Sequence, residues 1–168
     1  MARILTLFGR RRWLKIGLLY VVFNPRYSYK WHATVINRWK KPQPGRMKCS
    51  IDASFSENKV VIDMCIQDDS GAFILAKTEW FSPKCTVRVD EALNFLSALW
   101  WVHDLHFVPI DFELDSKIVV DNFFSSKSDA TKFEDIIKIC TFLFTDLYTN
   151  SSVELIRRQA NEVAHILA

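Results

Sequence analysis

Three carboxylates, Asp52, Glu91 and Asp115, define the chemistry that this sequence offers. Asp52 lies in a run, Met47 to Phe55, that reads as a strand, and Glu91 stands at the start of a helical pattern. Asp115 closes a strand of period 2 in which Ile110, Phe112 and Leu114 alternate with Asp111, Glu113 and Asp115. A first and a fourth strand joined through a helical crossover can lie parallel and adjacent, which brings Asp52 and Asp115 near each other at one edge of the sheet. The stripe Glu91, Phe95, Ala98 and Val102 must face the sheet for the core to close, so Glu91 is expected to point inward at the mouth. Buried like charges raise each other's pKa unless a cation neutralises them, and an oxygen-only cluster suits Mg²⁺ or Mn²⁺. Two such ions about 4 Å apart are machinery for in-line attack on a phosphodiester.

The elements that must hold these residues follow from the rest of the pattern. Val60 to Ile66 reads as a second strand, and Asp69-Ser70-Gly71 as a turn before a third apolar run, Ala72 to Ala76. Asp90 to Leu105 is helical, with Ala92, Leu96 and Leu99 on the stripe beside that of Glu91. A short helix is expected over Val119 to Phe124, a longer one over Thr131 to Leu147, a fifth strand over Ser152 to Arg157 and two helical turns over Asn161 to Ala168. The order βββαβααβα argues a mixed sheet flanked by helices.

Composition bounds the function classes. The chain has 168 residues, 49% hydrophobic and 24% charged with 4 Gly and 5 Pro, the profile of a packed domain rather than a disordered or collagen-like chain. Its net charge of +3 is unevenly spread: residues 1 to 48 hold 12 Lys/Arg and no Asp or Glu, leaving 10 basic and 19 acidic residues in the remainder. Lys40-Lys41-Pro42-Gln43-Pro44-Gly45 marks the change of sign, so residues 1–38 are read as a basic arm and 39–168 as the domain. The arm's charges are interleaved with Trp13, Tyr20, Tyr27, Tyr29, Trp31 and Trp39, the composition of a nucleic-acid-binding segment. An organellar transit peptide and a sequence remnant without a role are the alternatives, and the compartment, nuclear or organellar, stays open. The longest apolar run, Trp13 to Phe23, is short of the ~20 residues that span a bilayer, and no membrane partner is expected. Cys49, Cys65, Cys85 and Cys140 form no C-x-x-C pair and signal neither zinc nor a disulfide framework.

Five motifs in order, Trp39-x-x-Pro42-x-Pro44-Gly45-x-x-Lys48-Cys49-x-x-Asp52, Asp68-Asp69-Ser70-Gly71, Asp90-Glu91-Ala92, Glu113-Leu114-Asp115-Ser116 and Arg158-Gln159-Ala160-Asn161-Glu162-Val163-Ala164-His165-x-Leu167-Ala168, resemble the type 1 ribonuclease H domain. The form is the retroelement-related, reverse-transcriptase-like one abundant in plant genomes, and the resemblance covers about residues 39 to 168. It implies an α/β ribonuclease H-like fold with a five-stranded mixed sheet in the order 3-2-1-4-5. It also implies a metal-dependent endonuclease that hydrolyses the RNA strand of RNA–DNA hybrids. The catalytic residues would be Asp52, Glu91, Asp115 and His165, the first three binding a two-ion Mg²⁺ or Mn²⁺ site. Ala53, Ser54, Ser116, Arg158 and Asn161 would line the nucleic acid. A monomer without a small-molecule cofactor is expected.

Three departures favour an alternative, a ribonuclease H-fold domain that binds nucleic acid with little or no turnover. Ala53 stands where the family has Gly, adding a methyl where the backbone would approach the substrate. His165 replaces the fourth carboxylate, and imidazole is a poorer Mg²⁺ ligand, although it suits Mn²⁺ and can carry protons. His103-Asp104-Leu105-His106-Phe107 lacks the Lys and Arg of the basic loop with which cellular members grip the hybrid. Taken singly, Glu91 is a first-turn acid and Asp115-Ser116 a helix cap; only their combination with Asp52 points to a site.

Overall fold

Hydrophobic alternation, tight polar turns and one strong helical crossover together fix five strands of a six-stranded sheet. The computed structural model describes residues 35–36, 39–125 and 130–157, all within the unit formed by residues 31–168. The expected terminal helical turns, with Arg158, Asn161 and His165, lie outside the described residues. The strands are β1 (Val35–Ile36), β2 (Met47–Phe55), β3 (Val60–Gln67), β4 (Phe73–Phe81), β5 (Ile110–Leu114) and β6 (Ser152–Ile156). The helices are α1 (Val87–Leu105), α2 (Lys117–Phe123) and α3 (Lys132–Leu147).

The sheet order is β1-β6-β5-β2-β3-β4, and within it β4-β3-β2-β5-β6 is the expected 3-2-1-4-5 arrangement. The β2-β3 and β3-β4 pairs are antiparallel, whereas β5 is parallel to both β2 and β6. The added strand, β1, comes from two residues assigned to the arm and pairs parallel with β6, Val35 opposite Leu155.

Turn chemistry sets the hairpins. Asp68 Oδ1 accepts from the main-chain N–H groups of Ser70 and Ala72, both at 2.9 Å, and from the Ser70 hydroxyl at 2.7 Å. These bonds, the Ser70 hydroxyl foremost, hold the Asp68 carboxyl below its ordinary range. Gly71 closes the turn at φ +87°, and a Cβ there would come within 3.2 Å of the Trp39 ring, so both conformation and space call for glycine.

Successive residues of each strand go to opposite faces. On one face Cys49, Ile51, Ala53, Val60, Ile62, Met64, Phe112, Leu114, Val153 and Leu155 are buried against helices. Phe95 of α1 meets Phe112 edge-on at 5.9 Å, and Tyr148, past α3, meets Phe112 at 5.1 Å and donates its hydroxyl hydrogen to the Leu99 carbonyl of α1. Such aromatic pairs add about 0.5–1.5 kcal/mol each beyond their buried area. Trp101 of α1 is buried in the same layer, with Lys77 5.8 Å from its ring centre.

Two boundaries differ from the sequence reading by three residues or more. β4 runs on to Phe81, five residues past Ala76, because an edge strand tolerates the polar stretch Lys77-Thr78-Glu79 that breaks the apolar run. α1 starts at Val87, where Thr86 in extended conformation serves as N-cap by its carbonyl, accepting from the Val89 and Asp90 N–H groups at 2.9 and 3.0 Å. At α3 the cap is a side chain: Thr131 Oγ1 accepts from the Glu134 N–H at 3.3 Å. Among the described residues, no helix is long and apolar enough to cross a membrane.

Candidate active site

The second face of the sheet is polar, and its register lines the side chains up in rows. Ser152, Asp111, Lys48 and Gln67 form the first row across β6, β5, β2 and β3. Glu154, Glu113, Ser50 and Cys65 form the second. Ile51 of β2 pairs with Leu114 of β5, so the next positions, Asp52 and Asp115, lie side by side on parallel neighbours; Asp63 and Thr78 extend that third row.

Asp52 is buried at 3% exposure, and its Oδ1 accepts from the Ala53 N–H at 2.9 Å, a bond that orients the carboxylate. Asp115 is half-buried just beyond the end of β5, and Glu91 is half-buried in the second turn of α1. Asp63, opposite Asp52, is fully buried; its Oδ1 accepts from the Thr78 hydroxyl at 2.6 Å, and its Oδ2 has no hydrogen-bond partner among the described residues. Carboxylate oxygens are the donors a hard divalent cation prefers, so the chemistry of Asp52, Glu91 and Asp115 fits such an ion. Their placement is less complete. Among the described residues, no three His, Cys, Asp or Glu side chains are gathered to hold one metal ion. A hard ion such as Mg²⁺ keeps several waters and can be held by one or two carboxylates together with substrate phosphate.

Cations offset the rest of this acidic face. Lys48 Nζ lies 2.6 Å from Glu113 Oε1, and both side chains are almost fully buried. Lys48 also donates to the Lys40 carbonyl and stands 5.5 Å from the Trp39 ring centre, so residues 39 and 40 lie over the first row. Burial pushes the Glu113 carboxyl above its ordinary range, with Lys48 only partly offsetting it. Asp111 shows the opposite balance: burial opposes its charge, but hydrogen bonds from Arg46 and Ser152 prevail and hold it low. Arg46 grips both Asp111 oxygens and donates to the Asn150 carbonyl at 2.7 Å, tying the start of β2 to the start of β6. Burial and the neighbouring Asp111 and Glu113 charges raise Glu154.

Ala53 alternates with Asp52, is 5% exposed and belongs to the helix-packed face, so its methyl does not crowd the carboxylate face. Ser54 is half-buried on the polar face, and Ser116 is the N-cap residue of α2. Lys48, Glu113 and Asp63 were not singled out by sequence. Lys48 and Glu113 fall inside two of the five family motifs, which is the signal that could have paired them; Asp63 carries no such signal.

Comparison with known proteins agrees with this architecture. Residues 50–168 match the family model described as reverse transcriptase-like. The structure is similar to ribonuclease H1 of the halophilic archaeon Halobacterium salinarum, with a TM-score of 0.65 and 18% identity over 74% of this chain and 95% of that one. It is also similar to LC11 ribonuclease H1 from a compost metagenome, with a TM-score of 0.62 and 15% identity over 73% of this chain and 91% of that one. The same enzyme in complex with an RNA/DNA hybrid gives a TM-score of 0.62 at 14% identity, over 72% and 92% of the two chains. No curated protein sequence matches. With its family model spanning most of the domain, the chain belongs to the reverse transcriptase-like family, and its sheet has the ribonuclease H fold.

Proposed function

We propose that the chain binds RNA–DNA hybrids and hydrolyses their RNA strand at the Asp52–Asp115 edge of the sheet. The observation that carries this reading is the parallel register of β2 and β5, in which the two positions following the Ile51–Leu114 pair are both aspartates. Asp52, Glu91 and Asp115 would hold Mg²⁺ or Mn²⁺, which when bound lowers the pKa of water and offsets phosphate charge. Within the chain, the Ala53 N–H fixes Asp52, and the start of α2 at Ser116 positions Asp115. The RNA 2′-hydroxyl is the feature that distinguishes the strand to be cut. His165 would assist as a fourth ligand or proton carrier, and the arm, residues 1–38, would add phosphate contacts. The test is cleavage of a labelled hybrid with Mg²⁺ and with Mn²⁺, beside Asp52→Asn. Metal-dependent cutting of the RNA strand that Asp52→Asn abolishes supports the reading; cutting that survives the substitution overturns it.

A second reading, hybrid binding without turnover, draws on Ala53, on His165 in place of a carboxylate and on the missing basic loop at residues 103–107. Tight hybrid binding with no cleavage in either metal would select it.

A further inference from the structure

Trp80 is the most exposed large apolar side chain among the described residues, at 64%, and it lies on the same sheet face as Asp52. The register shows this directly: Asp52 pairs with Asp63 and Asp63 with Thr78, while Ser54 is opposite Val61 and Val61 opposite Trp80. Two strand spacings across and two residues along put Trp80 roughly 12 Å from Asp52, which a nucleic-acid strand covers in about four nucleotides.

Lys59 Nζ stands 4.9 Å from the Trp80 ring centre. Lys84 Nζ donates to the Ser56 carbonyl at 3.2 Å, bringing a second ammonium to the same corner from the loop after β4. Both lysines are exposed, and Glu57 is the only acid between Ser56 and Val60 or between Trp80 and Arg88. Residues 49–168 otherwise carry nearly twice as many acids as bases, so an exposed aromatic ring set among cations is a local exception.

We infer that this corner takes an unpaired nucleotide of a single-stranded tail flanking the hybrid, its base stacked on Trp80 and its phosphates near Lys59 and Lys84. A base inside a duplex is already stacked on its neighbours, so an exposed indole gains most from one that is not. Stacking on an aromatic ring tolerates any base, and a lysine beside the ring supplies the phosphate contact. The inference rests on the proposed hybrid binding and specifies its substrate: tailed hybrids in preference to blunt ones.

The experiment measures binding of labelled hybrids to the full chain carrying Asp52→Asn, so that nothing is cut, in Mg²⁺. The hybrids are blunt or carry a four-nucleotide RNA or DNA tail. A tail should tighten binding about 5-fold or more, the low end of one stacked base. Trp80→Ala should remove that gain and leave blunt-hybrid affinity unchanged, whereas Trp80→Phe should keep most of it. Lys59→Met should flatten the salt dependence for tailed hybrids by up to about one in log K per log salt. Equal affinity for tailed and blunt hybrids would overturn the inference and leave hybrid binding standing. So would a change from dimer to monomer in Trp80→Ala, which would make the corner a contact between copies. Failure to bind any hybrid would overturn the reading on which the inference rests.

Discussion

The two faces of one sheet are stabilised in different ways. Cys49, Ile51 and Phe112 face the helices, whereas their immediate neighbours Lys48, Ser50, Asp111 and Glu113 face the other way, and both sets are buried. The helix-packed face gains by removing apolar area from water, at about 25 cal/mol per Å². The polar face bears a desolvation cost, offset by ion pairs and hydrogen bonds whose benefit depends on each partner being present. Such a face lets charge exist where a hydrocarbon core would forbid it.

Removing one partner on the polar face should have the largest effect on stability. Lys48→Met leaves Glu113 buried without a counter-charge, with only the Ser50 hydroxyl donating to it, at a cost of about 3–5 kcal/mol near neutral pH. Glu113 already titrates above its ordinary range, and loss of Lys48 raises it further. Stability tied to a raised carboxyl is present below its unfolded pKa and lost as pH rises through the folded one. The deficit of Lys48→Met should therefore shrink on going from pH 7 to 5, a range in which Asp111, held low by Arg46 and Ser152, stays ionised. Thermal melting at the two pH values checks this, and adding Glu113→Gln should restore part of the loss at pH 7.

On the helix-packed face, Phe95→Ala removes a fully buried ring in contact with Phe112 and Phe123. Its cost is similar at the upper end, about 3–4 kcal/mol, but it should be the same at pH 5 and pH 7, since no charge is involved. A pH-dependent Phe95→Ala deficit would erase the distinction between the faces.

The sequence exposed the first face more fully than the second. Alternation in Met47–Phe55 and Ile110–Leu114 located β2 and β5, and the Glu91 stripe located α1. Yet alternation with Asp111 and Glu113 has the pattern of a strand with one solvated side, whereas all five residues of β5 are buried. Partner choice on the polar face depends on register across strands more than sixty residues apart, which local pattern does not encode. β1 escaped for a related reason: two residues carry too little periodicity to specify a strand, and its pairing with β6 is entirely nonlocal.

Arg46→Gln should have a smaller effect, about 1 kcal/mol, because its bidentate bond to Asp111 is partly open to solvent. Asp111 would then rise toward its ordinary range, moving the acid unfolding limb to higher pH, as acid titration of stability can show. Smaller still for folding is deletion of residues 1–30, which leaves β1 in place. That deletion should flatten the salt dependence of hybrid binding by about 0.7–0.9 in log K per log salt for each phosphate that the arm neutralises, with cleavage at saturation unchanged.

The most direct test of the division of labour is Asp115→Asn, with hybrid cleavage and metal-free thermal melting measured on the same preparation. Asp115 lies beside Asp52 in a row that also holds Asp63, so removing one negative charge there relieves repulsion. The expected result is loss of cleavage with a melting temperature that is unchanged or slightly higher. Retained cleavage, or a drop of several degrees in the melting temperature, would contradict a catalytic Asp115 and make it a structural cap of α2.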